Sequence, residues 1–172
     1  MEKFNHIELN NEVTKRGDNG FFRLEKDQEA IAEFLREVDY KTVKFSSEIK
    51  RLRYLVEENY YYNIFDKYIE DEIVECLELA ANYKFEFKSY MAASKFYKDY
   101  ALKTNDKKQY LENFNQHVFI VAMYLADGDV ALAKELMIAM LEQRLQPATP
   151  TFLNSGRSRR GELVSCFLLE VG

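Results

Sequence analysis

The sequence predicts a mostly α-helical protein, a helical bundle over residues 1–145, followed at 146–172 by a loop and a single buried strand of an α/β domain. Three observations predict it. Apolar residues recur at helical spacing in successive segments from Asp27 onward. Pro147, Pro150 and the Asn154-Ser155-Gly156 turn end that regime. The stretch ELVSCFLLEV at 162–171 is then apolar on both faces of an extended chain.

Each element has its own pattern. Residues 1–25 are polar, carry a turn signal at Gly17-Asp18-Asn19-Gly20, and read as a short irregular arm packing through Phe21, Phe22 and Leu24. Ile31, Phe34, Leu35 and Val38 sit at i, i+3, i+4 and i+7, one face of an amphipathic helix beginning near Asp27. Ser46 and Ser47 offer an N-cap for a second helix with Ile49, Leu52 and Leu55 or Val56 on its stripe, ahead of the run Tyr60-Tyr61-Tyr62. A third, near 70–82, buries Ile73, Val74, Leu77 and Ala81, and a fourth over 88–102 places Tyr90, Ser94, Tyr97 and Ala101 together. The segment 109–126 contains VFIVAMYLA at 118–126, apolar all round, as expected of a helix enclosed by others. Asp127-Gly128-Asp129 breaks it, and 130–145 continues as a hairpin partner with Leu132, Leu136 and Met140 inward.

A strand apolar on both faces belongs in a sheet covered on both sides, and no second convincing strand is present to pair with it. Left alone it would strand backbone donors and acceptors at a cost of several kcal/mol. The sequence therefore reads as incomplete, or as completed by another chain.

Composition narrows the function classes. With 172 residues and 47% hydrophobic content, the chain is large enough for one ordinary domain with a core. The 24 basic against 29 acidic residues argue against broad nucleic-acid binding. No apolar run reaches the roughly 18–20 residues that span a bilayer, so no membrane role is expected. The opening MEKFNHIELNN has no secretory pattern, and a reducing cytoplasm with both Cys76 and Cys166 as free thiols is expected.

Cys166 is the leading chemical candidate: it lies mid-strand beside Ser165, after a Thr-Pro-Thr loop and a basic turn. A buried structural thiol is the competing account. Thr149 can cap a loop or bind a ligand, and Arg157, Arg159 and Arg160 can meet phosphate, although a solvated turn explains them more simply. The Gly156–Gly161 spacing lacks the Lys-Ser/Thr of a P-loop. His6 and His117 do not make a metal site, and Glu112 with His117 lacks Glu-x-x-His spacing. Cys76, beside Ile73 and Leu77, reads as a core thiol, and the tyrosines as packing.

The stretch QPATPTFLNSGRSRRGELVSCFLLEV at 146–171 resembles the substrate loop and first barrel strand of class I ribonucleotide reductase large subunits, in the class Ib form. HIELNNEV at 6–13, YLVEENYY at 54–61, SYMAASKFYKDYALKTNDKKQYLE at 89–112 and YLADGD at 124–129 resemble that family's helical N-terminal region. The resemblance implies that 162–171 is the first strand of a ten-stranded α/β barrel otherwise absent from this sequence. It implies that Cys166 is one member of the dithiol that reduces the ribose 2′ carbon and ends turnover as a disulfide. Ser165 and Thr149 match positions that contact the substrate ribonucleoside diphosphate.

By the same resemblance the partners are a C-terminal large-subunit chain, a radical-generating small subunit with a Mn or Fe dimetal centre, and a glutaredoxin- or thioredoxin-like reductant. No cofactor is expected on this chain, and the nucleotide effector sites and the radical cysteine are expected downstream. The stretch ahead of the helices is too short for a full ATP-binding cone. The leading reading is thus one part of a split reductase large subunit, inactive alone; alternative readings are a noncatalytic helical interaction module and, more weakly, a stand-alone thiol redox protein lacking a Cys-x-x-Cys. Turnover lost on Cys166→Ser separates the first from the others.

Overall fold

The computed structural model describes residues 4–166. Over these the chain is helical, with extended pairing confined to isolated bridges. The helices are α1 (His6–Val13), α2 (Glu25–Lys41), α3 (Glu48–Glu57), α4 (Glu70–Asn82), α5 (Tyr90–Lys95), α6 (Phe114–Ala126), α7 (Val130–Leu141) and α8 (Thr149–Asn154). They form two compact units that share the chain in alternation. One holds the chain up to Val43 together with Glu86–Asn113; the other holds Lys44–Phe85 and everything from Phe114 onward.

In the first unit α2 buries Ala30, Ile31, Phe34 and Val38, close to the predicted stripe, with Leu35 half-buried. Phe34 is its aromatic hub, edge-on to Tyr90 and Tyr97 at centroid distances of 5.7 and 5.9 Å. Ser89 caps α5 by accepting from the Ala92 N–H, and Asp27 on α2 accepts from the Tyr90 N–H. Beyond Lys95 the helix widens into a π turn over Phe96–Tyr100, which buries both Phe96 and Tyr97.

Two expectations fail in this unit. The arm at 1–25 is not wholly irregular, because His6–Val13 forms α1. His6 anchors it, with Nε2 2.6 Å from Glu37 Oε2 and Nδ1 2.9 Å from the Tyr90 hydroxyl. Phe21, Phe22 and Leu24 do not pack; they are exposed. The helix expected from residue 109 begins only at Phe114. Tyr110 is spent on pairing instead: its N–H donates to Lys41 O, its carbonyl accepts from the Val43 N–H, and it bridges Lys103. Backbone groups bonded to a neighbouring segment are not available to a helical ladder.

The second unit is built around α6. Its residues His117 through Met123 are all buried, as the unbroken apolar run at 118–126 predicts. Each large side chain removed from water there, such as Phe119 or Ile120, contributes about 1.5–3 kcal/mol. α3 buries Leu52 and Leu55, with Ser47 accepting from the Lys50 N–H as its cap. α4 spans the predicted 70–82 and buries Ile73, Cys76, Leu77 and Ala80; Ala81, expected inside, is exposed.

α7 starts at the cap of Asp129, which accepts from the Leu132 N–H. Its inward face matches the prediction only in part: Met140 is buried as expected, together with Ala133, Met137 and Leu141, but Leu136 is half-buried and Leu132 exposed. VALAKELMIAML is apolar on most sides, so spacing alone does not select which of them turns inward. The turn between α6 and α7 is held by Tyr68, whose hydroxyl donates to Met123 O at 2.7 Å and accepts from the Gly128 N–H at 2.8 Å. Gly128 has φ +102° there.

The strand expected at 162–171 is not formed over Glu162–Cys166, which are irregular; Phe167 to Val171 lie outside the described residues. A strand needs a partner ladder, and among the described residues no other segment offers one.

Candidate functional site

The chemistry-bearing segment begins at α8. Pro150 occupies a first-turn position of this helix, where its missing N–H costs nothing; α7 has already ended at Leu141, with Gln143 left-handed at φ +58°. Phe152 is the one fully inserted side chain, its ring meeting that of His117 edge-on at 4.5 Å. His117 lies in the apolar heart of α6 and is 0% exposed. Its Nε2 is 2.8 Å from Phe152 O and its Nδ1 is 3.2 Å from Arg157 Nη2. A carbonyl only accepts and a guanidinium only donates, so Nε2 is the donor to Phe152 O and Nδ1 the acceptor from Arg157.

After α8 the chain turns at Gly156. Its φ is +79°, and a Cβ built there would stand 2.6 Å from Ile120 Cγ1 and 3.1 Å from Ile120 O. Glycine is thus required both by conformation and by the closeness of α6. The turn is stitched to the tyrosine run by an antiparallel bridge between Tyr61 and Arg157, with Tyr62 N–H donating to Gly156 O and Ser158 N–H to Tyr60 O, each at 3.0 Å. The Arg157 guanidinium lies over the Tyr61 ring at 5.9 Å. Arg160 lies over Tyr124 and donates to its hydroxyl at 3.1 Å. Burial pushes the Tyr62 phenol well above the usual tyrosine range, so it is protonated.

The returning chain is tied back to α8. Thr151 Oγ1 donates to Leu163 O at 2.8 Å and Asn154 Nδ2 to Glu162 O at 2.9 Å. These bonds hold the start of the Glu162–Cys166 stretch against the helix that begins with Thr149. Thr149, Ser165 and Cys166 are themselves all exposed, and Cys166 is a free thiol.

Residues 6–85 match the family described as ribonucleotide reductase N-terminal, and residues 86–160 match that described as ribonucleotide reductase, all-alpha domain. The chain belongs to the ribonucleotide reductase family. It is 50% identical over 170 residues to the ribonucleoside-diphosphate reductase NrdEB subunit alpha of Bacillus subtilis, covering 98% of this chain and 16% of that protein. It is 50% identical over 167 residues to a second ribonucleoside-diphosphate reductase subunit alpha of Bacillus subtilis, covering 96% of this chain and 24% of the relative. The corresponding subunit of Mycoplasma pneumoniae is 41% identical over 168 residues, 96% of this chain and 23% of its own length. The chain therefore spans between a sixth and a quarter of these relatives and corresponds to the N-terminal region of a reductase alpha subunit.

Within this reductase region the two cysteines differ. Cys76 is wholly buried on α4 and desolvation raises its thiol above the usual range, which suits the packing role read from sequence. Cys166 is open to reagents and partners. Among the described residues no group of three His, Cys, Asp or Glu side chains is placed to hold a metal, and no helix is long and apolar enough to cross a membrane.

Sequence reasoning missed His117 and misjudged Arg157. The first was weighed only as a metal ligand, the second as one of three solvated arginines; only Arg159 and Arg160 are exposed. The usable signal was His117 itself, an ionisable ring beginning an otherwise apolar helical run, which must find buried partners somewhere.

Proposed function

We propose that this region serves the reduction of ribonucleoside diphosphates to deoxyribonucleoside diphosphates for DNA synthesis, in a class Ib-like reductase, by supplying one redox thiol and part of the substrate's seat. Cys166 is one of two thiols that together give up two electrons and two protons. The substrate loses its 2′ hydroxyl as water, hydrogen takes its place at carbon, and the two sulfurs close as a disulfide. Thr149 and Ser165 offer hydroxyls to the nucleotide. The second thiol, the hydrogen-abstracting cysteine and the rest of the barrel come from sequence beyond this region, whether on the same polypeptide or on a partner chain. A small subunit with a dimetal centre generates the radical, and a glutaredoxin- or thioredoxin-like protein reopens the disulfide by exchange.

One observation carries this reading: a free, exposed cysteine follows closely on Glu162 and Leu163, which are tethered to the Thr149 helix, within a chain half identical to reductase alpha subunits along nearly its whole length. The test joins the chain to the missing barrel, in cis and in trans, adds the small subunit and a dithiol, and follows deoxyribonucleotide formation. Turnover that vanishes on Cys166→Ser supports the proposal. Turnover that persists rejects the role of Cys166, and a stable complex without turnover points to a helical interaction module.

A further inference from the structure

In a helix as apolar as α6 an imidazole stands out: Val118, Phe119 and Ile120 follow His117 and are as fully buried as it is, and beyond its edge-on contact with Phe152 the ring brings two polar nitrogens that need partners. The ring's two nitrogens face two different pieces of the chemistry-bearing segment. Nε2 bonds the carbonyl of Phe152, three residues beyond Thr149 on α8, while Nδ1 receives the guanidinium of Arg157, past the Gly156 turn on the way to Ser165 and Cys166. Both lie within the same compact unit as α6.

We infer that His117 is a positioning residue, a two-sided latch that holds α8 with one nitrogen and the Arg157 arm with the other, so that the substrate loop is set before a nucleoside diphosphate arrives. What the loop binds rests on the function proposed above; the latch itself does not. Preset loops spare the ordering cost of binding, and misplacement by a fraction of an ångström is felt in substrate affinity and rate.

Two side chains divide the ring's duties. The glutamine amide nitrogen reaches the place of Nε2 and can donate to Phe152 O, whereas the asparagine oxygen takes the place of Nδ1 and can accept from Arg157. Amide hydrogen exchange on the full chain reads both arms. His117→Ala is expected to speed exchange about five- to tenfold at the amides of Phe152 on α8 and Ser155 at its C-terminal cap, and of Arg157 and Ser158 beyond the turn, with α4 unchanged. His117→Gln should restore the first pair and His117→Asn the second. Equal exchange in all three variants and the parent overturns the latch, and so does rescue of both arms by either amide alone.

In the barrel-completed enzyme His117→Ala should raise KM for a nucleoside diphosphate about tenfold with kcat within about threefold, because a mere loss of folded enzyme lowers kcat and leaves KM alone. A loosened loop with an unchanged KM overturns the positioning role. An inactive parent enzyme overturns the proposed function instead, while the exchange pattern still decides the latch. If the alanine variant does not fold, the glutamine and asparagine variants carry the same comparison.

Discussion

Replacing Gly156 by alanine tests how tightly the turn is pressed onto α6. Two costs add. A left-handed residue with φ +79° loses about 1–2 kcal/mol when it gains a Cβ. That Cβ would also meet Ile120 Cγ1 at 2.6 Å and the Ile120 backbone oxygen at 3.1 Å. The side-chain atom can turn away, but the helix backbone cannot, and overpacking of this kind costs a further 1–3 kcal/mol or about that. The sum, about 2–5 kcal/mol, lowers the melting temperature by roughly 4–20 °C in a chain of this size. Gly128→Ala is the matched control, since its φ is +102° but its nearest foreign atom, Lys67 O, stands at an ordinary 3.5 Å. Both variants are compared with the parent by urea unfolding followed by far-ultraviolet circular dichroism. A Gly156→Ala loss within about 0.5 kcal/mol of the Gly128→Ala loss would refute the reasoning, because the approach of α6 would then count for nothing.

Tyr68→Phe removes the donor to Met123 O and the acceptor of the Gly128 N–H together, so urea unfolding should show a loss of about 2–4 kcal/mol; a loss below 1 kcal/mol or so would mean that water replaces the hydroxyl. Glu37 should make the unit of α1, α2 and α5 acid-labile. Burial alone would raise its carboxyl, but the hydrogen bond and charge of Lys41 and the contact with His6 outweigh it and hold the pKa below the ordinary 4.5. A carboxyl depressed by folding contributes stability that is present above its unfolded pKa and lost as pH falls through the folded value. Glu37→Gln should therefore flatten the acid side of the stability curve, and a variant whose curve parallels the parent's through that range, between the unfolded and folded values, would contradict this. Iodoacetamide added to the native chain should label Cys166 and spare Cys76 until denaturant is present, as read by peptide mass spectrometry; equal labelling would overturn the assignment of Cys76 to the core.

What the sequence revealed about the fold follows how local the causes are. α4 was legible in its extent, because an apolar stripe runs its length, although Ala81 lies on the exposed side. Ser47 as a cap and α6 as the enclosed helix were legible for the same reason. α1 was not: HIELNNEV buries no residue in full and has no stripe, and it docks through His6 onto Glu37 and Tyr90, residues distant in the chain. The pairing of Tyr110 with Lys41 and Val43 is likewise invisible to any local pattern. α7 shows the opposite failure, too many apolar residues for the spacing to choose among.

The candidate site divides in the same way. Thr149, Ser165 and Cys166 were named from a motif, and the motif says nothing of their exposure or of the bonds from Thr151 and Asn154 that fasten their segment. The strand expected at 162–171 is unpaired over Glu162–Cys166 because a strand exists only where a neighbour supplies hydrogen bonds, and the sequence reading places those neighbours on a barrel outside this chain.

The alternation of the chain between its two halves bears on how it is made. Synthesis delivers α1 and α2 first, then α3 and α4, and only afterwards the α5 stretch that completes the earlier half. Neither half closes when its opening segment leaves the ribosome: α2 must keep its apolar side uncovered until Tyr90 and Tyr97 emerge, and α4 must wait for α6. A nascent polypeptide of this design is exposed to wrong partners for longer than one assembled from consecutive pieces. A cut between Phe85 and Glu86, though it falls where the two matched regions meet, would leave both halves unfinished.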